Sequence, residues 1–206
     1  MKTLFIEARR KGLVLAENIK YFIKSLDSLS ILYSIQYKSL AEEFKQEAKK
    51  QGKKILAFQQ VLGCSNPKVK GTIVLIGSGR FHAVNLASRL GLPIYIIEGD
   101  KIEKITAEEI KKMQAKKKTA LLKFYSSDSI GIIASTKPGQ NKIREAEKLK
   151  KSLEAKGKKV YLFVADNINL AELENFPLPI YINTACPGLT LDSSKILNIE
   201  DIPSDF

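Results

Sequence analysis

Short apolar runs rich in strand-forming residues alternate with amphipathic helical stretches along almost all of this sequence, and that alternation admits few folds. Thr3-Leu4-Phe5-Ile6-Glu7 reads as a strand, and a helix opening at Gly12 presents Leu15, Ile19, Phe22, Ile23 and Leu26 on one face. Strands are expected at 30–35, 53–58, 71–76 and 93–97, with helices over 39–51 and 83–90 between them. The plan resumes with a strand at 129–135, a helix over 141–156, a strand at 159–165 and a short helix at 170–174. A last apolar run, Pro179 to Thr184, ends on Ala185-Cys186-Pro187. Strand and helix alternating at this spacing predict mainly parallel sheets with helices on their faces.

The two halves resemble each other. Ser28-Leu29-Ser30-Ile31-Leu32-Tyr33-Ser34, a charged helix and Gly52-Lys53-Lys54-Ile55-Leu56 match Ser129-Ile130-Gly131-Ile132-Ile133-Ala134-Ser135, a charged helix and Gly157-Lys158-Lys159-Val160-Tyr161. Residues 100–104 read as a linker, and Thr106-Ala107-Glu108-Glu109 reads as the capping box of a long lysine-rich helix ending near Tyr125. The expected fold class is therefore α/β: two similar three-layer α/β/α domains with mainly parallel sheets, related by internal duplication and covering 1–103 and 104–206. The polar tail, 192–206, is expected to pack loosely.

Composition narrows the setting. No apolar run approaches the roughly 18 residues a membrane span requires, and the opening Met1-Lys2-Thr3 leads into a strand pattern, so a cytoplasmic protein without a membrane segment is expected. In a reducing compartment the two cysteines are free thiols or metal ligands before they are a disulfide. A net charge of +12 suits an RNA or acidic-protein partner, or else a lysine-rich solvated surface. The lysines are spread over helix faces, as at Lys111, Lys112, Lys116, Lys148, Lys151 and Lys156, without interleaved aromatics, which favours the solvated surface.

The cysteines are the chemistry-bearing residues. Cys186 ends a buried-strand pattern, which is where open α/β sheets place their ligands. Cys64 follows a second strand-like run, Lys54 to Phe58. They stand at different distances from the matched lysines Lys54 and Lys159, so they are analogous in role rather than in register. Two strand-end thiolates make a soft donor pair suited to zinc or iron–sulfur chemistry. They are too few for a closed zinc site or the usual ligation of a four-iron cluster, there is no Cys-x-x-Cys, and His82 is the sole histidine. From the residues alone, two small buried hydrophobes are the simpler reading.

Four motifs add to this. Gln60-Val61-Leu62-Gly63-Cys64, Gly77-Ser78-Gly79-Arg80-Phe81-His82, Lys137-Pro138-Gly139-Gln140 and Thr184-Ala185-Cys186-Pro187 stand in an order and approximate spacing that resembles the archaeal diphthamide synthase family, the 2-(3-amino-3-carboxypropyl)histidine synthases. The family is built from three similar α/β domains, each giving one cysteine to a 4Fe-4S cluster, and the resemblance covers its second and third domains. It implies a radical transferase that moves the 3-amino-3-carboxypropyl group of S-adenosyl-L-methionine to a histidine of translation elongation factor 2. It implies Cys64 and Cys186 as two cluster ligands. It also implies Gly77, Ser78, Gly79, Arg80 and His82 as contacts to S-adenosylmethionine, with Arg80 as a charged donor, and Gly139 and Gln140 as a second helix start facing it.

Relatives commonly read Cys-Pro-Arg where this chain has Cys186-Pro187-Gly188, so a positive group expected near that ligand is missing. The expectation is part of a split synthase, a dimer or heteromer. Its third cysteine would come from a separately encoded first-domain polypeptide or another subunit. The alternatives are a non-catalytic subunit supporting cluster reduction and a cluster-free adaptor holding elongation factor 2 or ribosomal RNA.

Overall fold

A computed structural model of the chain describes residues 8, 10, 12–62, 64–191 and 193–203; the strand expected at 3–7 lies outside them. The chain divides into two compact units, Met1–Lys111 and Lys112–Phe206.

In the first unit, helix α1 (Glu17–Lys24) leads into β1 (Ser28–Tyr33), then α2 (Lys38–Lys50), β2 (Lys54–Gln60), β3 (Thr72–Ile76), α3 (Arg80–Leu90), β4 (Ile94–Glu98) and β5 (Lys101–Ile105). The sheet runs β2-β1-β3-β4-β5, parallel except for β5. Strand side chains alternate between faces, and each face is apolar, so each must be covered. Leu29, Ile31, Val74 and Ile76 meet Ile19 and Ile23 of α1 and Phe44 of α2. Leu32, Ile73, Leu75 and Ile96 meet Ala83, Leu86 and Ala87 of α3. The expected three layers are present.

The second unit takes α4 (Ala107–Ser126), which begins in the first, and continues with β6 (Ser129–Ser135), α5 (Ile143–Ala155), β7 (Lys159–Ala165), α6 (Leu170–Leu173), β8 (Tyr181–Asn183) and β9 (Ile196–Asn198). Its sheet is wholly parallel in the order β7-β6-β8-β9. That order repeats β2-β1-β3-β4. One face carries α4 and α5 through Ala120, Phe124, Ala146 and Leu153. The other is covered more thinly, by the segment around Leu170, Leu173 and Leu178.

The repeat extends to single hydrogen bonds. The N–H groups of Gly52 and Lys53 donate to Lys49 and Ala48, and those of Gly157 and Lys158 to Glu154 and Leu153. Both are Schellman closures on a left-handed glycine, with φ of 71° at Gly52 and 82° at Gly157. The next residue is a lysine in each copy. Lys53 Nζ donates to the Lys24 carbonyl at 2.8 Å, and Lys158 Nζ to the Ser127 carbonyl at 2.8 Å, so each lysine satisfies a carbonyl at the end of the helix that precedes its unit's first strand, α1 or α4.

Three readings change. Residues 100–104 are not a linker: β5 pairs antiparallel with β4 through a two-residue Gly99-Asp100 turn, Gly99 having φ 65°. Lys101-Ile102-Glu103-Lys104-Ile105 is a charged edge strand, and the division expected at 103 falls inside it. The tail is not loose throughout, since β9 lies within 192–206 and buries Ile196 and Leu197. Helix α1 begins at Glu17 rather than Gly12, and α3 at Arg80 rather than Ala83.

The α4 capping box is formed as expected: Thr106 N–H donates to Glu109 Oε2 at 2.9 Å, and Glu109 N–H donates to Thr106 Oγ1 at 3.3 Å. The Arg80 guanidinium closes on Glu103 at 2.7 Å and also on Glu109. The bond from the Thr106 backbone holds the Glu109 carboxyl below its usual range, with Arg80 adding to the effect. A depressed folded value means that the stability Glu109 adds is complete above its unfolded value, about 4.3, and is lost as pH falls through the lower folded value. Urea midpoints of wild type and Glu109→Gln should therefore differ at neutral pH and converge in strong acid; a constant gap would refute this.

Gly131 sits where a side chain has no room. A Cβ there would lie 2.3 Å from Cδ1 of Tyr181, whose hydroxyl is tied to the Leu173 carbonyl at 2.7 Å. Gly131→Ala should cost about 1–3 kcal/mol by overpacking, measured by denaturant unfolding. An unchanged midpoint would show that the ring moves aside freely.

Candidate functional site

Parallel strands all deliver the chain to the same sheet edge, so the connections after their carboxyl ends are the natural place for a site. In the first unit, Gly77 leaves β3 with its N–H donating to Ile97 O at 3.1 Å, and it is packed so closely that an added Cβ would stand 3.1 Å from Ser34 Oγ. Gly79 caps α3 with φ 86°, and its N–H donates to Glu98 Oε2 at 3.3 Å. His82 lies in the first turn of α3, exposed, its ring edge-on to Phe81. Ser78 and His82 line a cavity of about 170 Å³ together with Gly77, Ser34, Gln36 and Leu62.

Leu62 belongs to the turn that carries Cys64. That turn is closed by Ser65 N–H donating to Leu62 O at 2.9 Å and by Leu62 N–H donating to Ser65 Oγ at 2.8 Å. Cys64 itself is an exposed free thiol. Thus Gly77, Ser78 and His82 are gathered around one cavity whose wall runs on into the Cys64 turn. Arg80 is not among its lining residues. It borders a separate hollow with Glu98, Lys101 and Glu103, and its charge is taken up by Glu103 and Glu109.

In the second unit, Gly139 adopts φ 80° in the turn between β6 and α5, and Gln140 N–H donates to Lys137 O at 3.0 Å. Cys186 follows β8, half-buried and free. Thr184 N–H bonds to Ile133 O of β6 at 2.9 Å, so the Cys186 turn and the Gly139 turn leave neighbouring strands at the same sheet edge. By the repeat, β8 corresponds to β3 whereas Cys64 follows β2, so the thiols sit on non-equivalent strand ends.

Sequence reasoning passed over Ser34 and Gln36, which line the cavity, and Asn183 and Asn198, which are buried beside Cys186. Strand-terminal polar residues were the available signal. Among the described residues no three His, Cys, Asp or Glu side chains are grouped to hold a metal ion, and no helix is long and apolar enough to cross a membrane. As donors, the thiolates suit a soft iron–sulfur centre in kind and in strand-end position. In number they fall short of one.

Residues 1–197 match the family model of diphthamide synthesis proteins. The 2-(3-amino-3-carboxypropyl)histidine synthase of Pyrococcus horikoshii is 33% identical over 136 residues, which are 65% of this chain and 40% of that protein. The synthase of Methanocaldococcus jannaschii is 29% identical over 206 residues, covering 93% of this chain and 57% of that protein. The chain thus spans about half the length of the curated relatives it matches. Among solved structures, Dph2 from Pyrococcus horikoshii superposes with a TM-score of 0.72 at 28% identity, over 90% of this chain and 59% of that one; the same protein has also been solved with a 4Fe-4S cluster. With its two mainly parallel sheets, its strand-end thiols and a family match over nearly its whole length, the chain belongs to the diphthamide synthesis protein family.

Proposed function

We propose that this chain works in a 2-(3-amino-3-carboxypropyl)histidine synthase, contributing Cys64 and Cys186 as two of three thiolates that hold a 4Fe-4S cluster. The observation that supports it best is one free thiol past a strand's carboxyl end in each unit, in a chain similar to a protein solved with such a cluster. The third thiolate comes from a first-domain polypeptide outside these 206 residues, because the sequence holds two cysteines. When bound, the reduced cluster supplies the electron that opens the sulfonium of S-adenosylmethionine toward its 3-amino-3-carboxypropyl carbon, for transfer to a histidine of elongation factor 2.

The chain's own residues bind and orient. The amides of Gly77 and Gly79 are spent on Ile97 and Glu98, so the Ser78 hydroxyl and the His82 ring are the turn's polar groups toward the methionyl end, with Ser34 and Gln36 beside them. Ligand pockets enclose roughly 300–1,000 Å³. The cavity of about 170 Å³ is smaller, so the rest of the synthase completes its walls. Gly139 and Gln140 lie in a turn ahead of α5, whose N-cap is Lys142, and the Gln140 N–H is spent on Lys137 O, so they do not form the helix start expected of them. Arg80 does not stand in for the arginine that relatives carry after Cys-Pro, since Glu103 and Glu109 neutralise it.

The test is anaerobic reconstitution with iron and sulfide, together with the first-domain polypeptide, followed by mass analysis of elongation factor 2 for the transferred group. Cys64→Ala and Cys186→Ala should each abolish cleavage of S-adenosylmethionine, because either change removes a ligand. His82→Ala should weaken cofactor affinity or turnover while the visible absorbance of the cluster persists. Full transfer by Cys64→Ala would overturn the assignment and favour an adaptor.

A further inference from the structure

Cys186 is held by a buried amide pair that the cluster reading does not itself call for. Asn183, at the end of β8, is 2% exposed, and Asn198, at the end of β9, is 8% exposed. Asn183 Oδ1 accepts from Ala185 N–H at 2.9 Å. Its Nδ2 donates both hydrogens, one to Cys186 O at 2.7 Å and one to Asn198 Oδ1 at 2.8 Å. Asn198 Nδ2 reaches Pro187 O at 3.2 Å. Leu189 N–H and Thr190 Oγ1 add second donors to the same two carbonyls, at 3.1 and 3.0 Å. The Ala185 N–H before the thiol and the Cys186 and Pro187 carbonyls after it are thus all bonded, while Cys186 itself stays half-buried.

Burying two primary amides costs free energy unless every group is matched, and a matched buried network rigidifies what it holds. Apolar side chains would have closed the gap between β8 and β9 without that requirement. We propose that Asn183 and Asn198 are positioning residues that fix the Cys186 sulfur for metal ligation, an inference that rests on the cluster reading above. Groups that orient a ligand side chain in this way change metal affinity by about 10–100-fold when removed.

The test uses the full chain. In a Cys64→Ser background Cys186 alone reports, and its alkylation by iodoacetamide at fixed pH is followed by mass. Asn198→Ala should speed alkylation several-fold as the turn loosens, with far-UV dichroism retained. In the two-cysteine chain reconstituted with ferrous iron and sulfide, it should lower iron affinity about tenfold or more. Asn183→Ala should do the same more strongly where it folds. Tyr181→Phe is the control: it loses the bond to Leu173 O from the same strand, so it should lower the unfolding temperature without moving alkylation or iron binding. Wild-type alkylation and iron retention in Asn198→Ala, or equal shifts in Tyr181→Phe, would overturn the proposal. A wild-type chain that takes up no iron even with the first-domain polypeptide present counts against the cluster reading, while the alkylation comparison still decides the positioning role.

Discussion

Strands β1 and β6 each pair in parallel with a neighbour on both sides, so a chain leaving any of these strands must cross a face of its sheet before it can pair again. Those crossings become α2, α3 and α5. They also bring the exits of all the parallel strands in a unit onto one edge. The turns carrying Cys64 and Gly77 share the edge of the first sheet for that reason, and those carrying Gly139 and Cys186 share the edge of the second. What gathers these motifs is the direction of pairing, and no long-range contact between them is required.

The two units solve the return from helix to strand in the same way and then diverge. A left-handed glycine ends the crossover helix, and the following lysine folds back over the end of the helix before, at Lys53 and again at Lys158. The difference lies on the opposite face. In the first unit α3 lies over Ile73 and Leu75 and leaves a cavity between its first turn and the β1 and β2 exits. In the second, Tyr181 lies against Gly131 and Leu178 closes over it, which fills the centre of that face. One scaffold thus places a hollow at the strand exits in the first unit and along β7, beside Tyr161, Phe163 and Phe176, in the second.

The fold was legible in the sequence wherever period and punctuation agreed. The strands at 129–135 and 159–165, the capping box at Thr106 and Glu109, and the helix-ending glycines Gly52 and Gly157 all read correctly, because each depends on residues within a few positions of one another. β5 and β9 were missed for a different reason. Both lie at sheet edges, one side of an edge strand faces solvent, and Lys101, Glu103 and Lys104 therefore look like a loop. Of the site, the cysteines and the Gly77 turn were legible as motifs. Arg80 was read as a ligand donor because sequence shows its charge but not the two carboxylates that claim it, one from β5 and one from α4. Asn183 and Asn198 were invisible for the same reason, since each is meaningful only opposite the other.

The two thiols differ in how firmly they are held, and under the cluster reading proposed above that difference has a consequence for ligation. A four-iron cluster fixes its sulfurs at set positions, and two rigid turns would meet those positions only by chance, leaving any misfit as strain. Cys186 stands on a turn whose flanking carbonyls are both tied down by buried amides. Cys64 stands exposed on a turn that Ser65 closes, beyond the end of an edge strand. Under that proposal Cys186 would set where the metal goes and Cys64 would take up the remaining error at little cost, because an exposed turn has few contacts to lose. On this argument most of the pre-organisation resides in the second unit.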